Sequence, residues 1–84
     1  MNFIEDVLFG KDSEKTHEIR AFCRNHLEDE GWLGDFVRTY FTRGEEWAED
    51  IKSDPVQFAQ AKVIWDGLHE LAKQEMVENR KTYG

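Results

Sequence analysis

Three residue pairs stand at spacings that could hold a metal or run a nucleophilic reaction: Cys23 with His26, Glu14 with His17, and Asp66 with His69. Each pair is three residues apart, so a helix sets its members side by side. Paired Glu-x-x-His motifs build di-iron sites in helical bundles. Here His17 falls opposite the apolar stripe of its helix and His69 on the flank of its own, so both are expected to face water. The inward carboxylates that a di-iron site needs are missing from the apolar faces. Cys23 and His26 both fall inside an apolar stripe and are expected to point inward. A closed zinc site takes four ligands, and this chain has one cysteine and no second tight pair to complete the set. An imidazole beside a thiol could activate it, but that needs a cleft, and a chain of 84 residues has little room for one. The expectation is a buried thiol and a hydrogen-bonded core histidine. Ser13 and Ser53 read as caps, and no glycine-rich loop follows a strand. No metal, cofactor or catalytic residue is expected, and the chain reads as a protein that is not an enzyme.

The carboxylates say more. The formal net charge is −7, from 18 acids and 11 bases. Residues 28–54 hold nine of the acids (Glu28, Asp29, Glu30, Asp35, Glu45, Glu46, Glu49, Asp50, Asp54) against Arg38, Arg43 and Lys52. The segments on either side are close to neutral. Glu45, Glu46 and Glu49 point away from the apolar face of their helix, Asp50 sits at its border, and Asp35 shares the outer side. Glu28, Asp29 and Glu30 are expected at the end of the preceding helix, where they would oppose its dipole. Carboxylates kept where they repel suggest a use elsewhere, such as a basic partner; the competing reading is a solvated face. Trp32, between Gly31 and Gly34 at a turn, reads either as a partner-binding anchor, because Trp is enriched among interface hot spots, or as a lid on the bundle end.

The elements that must position these groups are helical. Phe3, Ile4, Val7 and Leu8 predict a short helix over about 2–9, ended by Gly10. Asp12 or Ser13 can cap a second helix over 13–29, with Ile19, Phe22, Cys23, His26 and Leu27 as its stripe and Gly31 as its left-handed C-terminal cap. Leu33, Phe36, Val37, Tyr40, Phe41, Trp47, Ala48 and Ile51 keep to one face. Gly44 falls on that face too, and allows either one helix closely packed there or two helices, over 32–43 and 45–52. A helix-interior glycine costs about 1 kcal/mol, which favours the break. The last helix, 55–78, has Asp54 as N-cap, Pro55 at its first position and Gln57 in a capping-box arrangement. Its stripe is Phe58, Ala61, Ile64, Trp65, Leu68, Leu71, Ala72 and Met76. A second face holds Val56, Ala59, Val63, Gly67 and Val77, and residues after Asn79 are expected to fray. The fold class is all-α, a bundle of four or five helices in a single domain over 1–84.

Composition narrows the function classes. A strong acidic balance disfavours direct contact with nucleic acid or anionic membranes, and no apolar run reaches the roughly 20 residues of a membrane span. A single cysteine, and no basic stretch followed by an apolar run near Met1, read as a cytoplasmic protein. In size and charge the chain resembles small acidic helical proteins of phages and mobile elements that block host nucleases, polymerases or defence complexes, although no motif carries that resemblance residue by residue. What it implies is an inhibitor of a basic, nucleic-acid-binding surface; the acidic segment itself gives the residues expected to meet that protein partner, namely Glu28, Asp29, Glu30, Trp32, Asp35, Glu45, Glu46, Glu49 and Asp50. The alternative is a structural or assembly protein, a homo-oligomer or part of a larger particle, joined through Val56, Ala59, Val63, Gly67 and Val77.

Overall fold

The computed structural model describes residues 3–83, with side chains as far as Asn79; the start of the first expected helix at residue 2, and the sequence around Met1, lie outside them. Four helices and no strand are found among the described residues: α1 (Ile4–Phe9), α2 (Glu14–Asn25), α3 (Trp32–Ser53) and α4 (Pro55–Tyr83). The all-α bundle expected from the sequence is the fold. α1 packs on all three other helices, and α4 packs on α2 and α3. The shared core is built from Ile4, Leu8, Ile19, Phe22, Cys23, Val37, Tyr40, Ala48, Ile51, Ala61, Trp65, Leu68 and Ala72. Fully burying an aliphatic or phenyl side chain contributes roughly 1.5–3 kcal/mol, so this one cluster accounts for most of the driving force.

Four boundaries differ from the expectation. α3 is one continuous helix, not two. Gly44 is buried against the Phe3 ring, and a Cβ there would lie 2.6 Å from Phe3 Cδ1. The glycine lets the residue ahead of α1 lie against α3, and that packing outweighs the helix-propensity cost. α2 stops at Asn25 instead of 29. His26 leaves the helix, and the Arg38 guanidinium donates to the carbonyls of Leu27 (2.7 Å) and Asp29 (3.1 Å), holding the following turn open. Gly31, with φ of +93°, therefore does not cap α2; it stands at the N-cap of α3. α4 runs on to Tyr83, beyond the expected end at 78.

The caps are partly as expected. Asp54 ends α3 and starts α4, its Oδ1 accepting from the backbone N–H of Val56 at 2.9 Å. The Gln57 side chain donates to the Asp54 carboxylate at 3.2 Å rather than reaching its backbone N–H, so the capping box is not closed. Ser13 sits at the N-cap of α2 without a side-chain bond. Ser53 is no cap either: its hydroxyl donates back to the Glu49 carbonyl at 2.6 Å. Among the described residues no helix is long and apolar enough to cross a membrane.

The candidate interaction surface and the buried polar hub

The residues weighed as metal ligands or a dyad differ in their surroundings. Cys23 is fully buried, and burial, reinforced by the Glu5 carboxylate, pushes its thiol up to about 12. Such a thiol stays protonated and is a poor nucleophile. His26 is not a core histidine. Its ring lies against Phe22 at 4.5 Å, with Nδ1 2.5 Å from Asp29 Oδ2 and Nε2 2.5 Å from Glu75 Oε2. Partial burial works against the charged ring, but the two carboxylates outweigh it and hold the His26 pKa above its ordinary value. Two carboxylates on one ring need both nitrogens protonated, so His26 is a cationic clasp between the turn after α2 and the C-terminal half of α4. His69, expected to face water, is buried and bonds Glu18 at 2.9 Å. Both clasps tie α4 to α2. His17 is exposed as expected, Glu14 is exposed beside it, and Asp66 meets Lys15 at 3.0 Å. Among the described residues no three His, Cys, Asp or Glu side chains come together as a metal site.

The eight carboxylates and Trp32 expected at the partner face divide into two groups. Asp35 is held by Arg38 at 2.7 Å and Glu46 by Arg43 at 2.8 Å, while Asp29 belongs to the His26 clasp. Glu28, Glu30, Glu45 and Glu49 are exposed and take part in no ion pair among the described residues. Glu28, Asp29 and Glu30 are not in the last turn of a helix, so they do not repel its dipole. Glu30 instead precedes the N-terminus of α3, where a carboxylate is favourable. Local electrostatics thus explains part of the acidity that had suggested a use elsewhere. Trp32 is no lid: 72% of it is exposed at the first position of α3.

The largest departure lies in α4. Its expected stripe is split. Ala61, Trp65, Leu68 and Ala72 are core, joined by His69, but Ile64 is 53% and Leu71 41% exposed. They roll toward α3 and line two open hollows on that side. Met76 is also exposed, and the second face is as open as its pattern suggested, with Val56, Ala59, Val63, Gly67 and Val77 all at the surface.

No family model matches the chain, and neither a curated protein nor a solved structure is similar to it. Its own geometry therefore carries the functional argument.

That geometry contains one group that the sequence pattern does not single out. Glu5 is completely buried. Its Oε1 accepts from Arg20 Nε at 2.9 Å and, over a very short bond, from the Tyr40 hydroxyl; Arg20 also reaches Asp6 at 3.0 Å. The hydroxyl of Thr16 lies 2.7 Å from the Gly10 carbonyl and 3.2 Å from that of Glu5. Burial, then the Glu5 carboxylate, raises the Tyr40 pKa. Among the described residues Glu5 Oε2 has no partner, nor has the buried indole N–H of Trp65. Glu5 belongs to a six-residue helix covered on three sides, where even a flanking position ends inside; its place next to Ile4 was the available signal.

Proposed function

We propose that this chain is a small acidic protein-interaction module that docks on a basic surface of a protein partner. The observation that carries the reading is that Glu28, Glu30, Glu45 and Glu49 stand exposed and without cations of their own among the described residues, with the exposed indole of Trp32 at the head of α3, the helix that carries Glu45 and Glu49. Unpaired surface carboxylates steer encounter with a basic patch, and a solvent-facing Trp supplies an anchor to desolvate. Asp29, Asp35 and Glu46 already have partners within the chain and contribute less. A basic patch of this kind is often a nucleic-acid-binding groove, and occupying it would make the module an inhibitor of that partner.

The test is charge reversal in matched pairs. Glu45→Lys with Glu49→Lys should lower retention of partner proteins from a lysate at least tenfold and bring their elution to lower salt. Asp12→Lys with Glu14→Lys makes the same change in total charge on exposed residues of the 11–14 region, and should leave most of that retention. Equal losses from both pairs would reduce the effect to net charge and contradict a specific face.

A second reading is a homo-oligomer through α4. It is supported by the exposure of Val56 and Val63, the latter at 73%, and by open space around Gly67, where an added Cβ meets nothing within 4 Å. Sedimentation velocity over a hundredfold concentration range decides it: a single monomer species would remove this reading.

A further inference from the structure

We propose that the groove between α3 and α4 is the anchoring pocket of this interaction, and that its occupant is an amphipathic segment of the basic partner, apolar side chains inward and Lys or Arg along its edges. The inference rests on the interaction reading above and adds where the partner's apolar residues go. Two open hollows, of about 310 and 280 Å³, lie along the seam. Phe36 and Ile64 line both, so the hollows form one groove. Trp47 and Ile51 lie at one end, Trp32 and Leu71 at the other. Trp32, Ile64 and Leu71 leave 72%, 53% and 41% of their surface in water. Single exposed apolar residues are ordinary; a contiguous strip of this kind marks an interaction site.

Charge selects the occupant. Among the described residues Asp50 is the only charged one lining either hollow, and it stands five helical turns from Trp32 on the same side of α3. The nearby cation, Arg43, is engaged by Glu46 at 2.8 Å and lies over the Trp47 ring at 5.9 Å. A second copy of this chain would bring its own charge of −7 against this rim, and an anionic lipid surface would be repelled in the same way. A basic segment has the opposite charge at its edges. From Trp32 to Trp47 the groove follows 15 residues of α3, about 22 Å at 1.5 Å per residue. That is the length of a four-turn amphipathic helix, the usual occupant of such grooves.

The probe is an 18-residue labelled peptide with Leu at helical spacing (i, i+3, i+4, i+7) and Lys elsewhere, with a control of the same composition in which that spacing is broken. Fluorescence anisotropy should show the periodic peptide binding at least tenfold tighter than the control. Ile64→Gln with Leu71→Gln should weaken it tenfold or more at an unchanged melting temperature. Trp32→Ala should weaken it several-fold, and Asp50→Lys should weaken it and flatten its salt dependence. Equal binding of the two peptides, or unchanged binding to the groove variants, overturns the inference. If those variants bind normally while Glu45→Lys with Glu49→Lys abolishes binding, the groove falls and the acidic face stands. A dimer that Ile64→Gln with Leu71→Gln dissolves makes a second copy the occupant and overturns the inference as well.

Discussion

Where α1 meets α2 and α3, the molecule keeps charged groups inside; where α3 meets α4, it leaves large apolar side chains outside. Glu5 is fully buried with Arg20 and Tyr40 on its carboxylate, while Trp32 and Ile64 are more exposed than covered. The first arrangement depends on the donors it has, Arg20 and Tyr40 on Glu5 Oε1, because a buried carboxylate without donors is costly. It fixes which way α1 docks and gives no access to a ligand. The second leaves apolar surface in water, which a stability argument alone does not explain. The contrast separates residues that hold the bundle together from residues that are free to meet something else.

The comparison breaks most readily at the hub. Glu5→Ala leaves the Tyr40 hydroxyl without an acceptor and removes the nearer carboxylate from Arg20, so it should destabilise by about 3–5 kcal/mol, read as a lower urea midpoint. A loss below about 1 kcal/mol would mean that the hub does not hold the fold. Next comes a pair of glycines on the two sides of the contrast. Gly44→Ala drives a methyl into the Phe3 ring and should cost about 1–3 kcal/mol. Gly67→Ala meets open space in a helix interior and should stabilise by about 0.5–1 kcal/mol. Shifts of the same sign would contradict the packing described for one of them.

An effect of similar size to that at Gly67, but dependent on pH, concerns the His26 clasp. Its folded pKa is raised by Asp29 and Glu75 over the opposing effect of burial, so its contribution is fully present below the unfolded value of about 6.5 and is lost as pH rises through the raised folded value. His26→Gln should therefore cost about 1 kcal/mol near pH 6, as befits a partly exposed pair, and almost nothing near pH 9. A cost that grows with pH would reverse the assignment of the charged ring.

How much of this was legible in the sequence follows from what periodicity can report. The helical fold, the Asp54 junction and the openness of Val56, Val63 and Val77 follow from local pattern, because each depends on neighbours within a turn or two. Gly44 misled because propensity is local, whereas the contact with Phe3 is made across some 40 residues. The end of α2 misled because Arg38, from the next helix, takes the carbonyls of the turn. His26 and His69 exchanged places, one toward the rim and one into the core, because their partners Glu75 and Glu18 lie on other helices. The α4 stripe overstated the core for a geometric reason. Eight apolar positions make a face broader than the three neighbouring helices cover, and Ile64 and Leu71 are its uncovered edge. The carboxylates were readable as exposed, but their pairing with Arg38 and Arg43 was not.

The most direct test of the proposed surface is amide and indole chemical-shift mapping of the isotopically labelled chain during titration with the periodic Leu/Lys peptide. The Trp32 indole and the amides of Ile64, Gly67 and Leu71 should shift most, with smaller changes at Glu45 and Glu49 and none along the α2–α4 clasps. Shifts gathered at His17, Glu18 and Glu75 instead, or spread evenly over the acidic residues without the groove, would contradict the account.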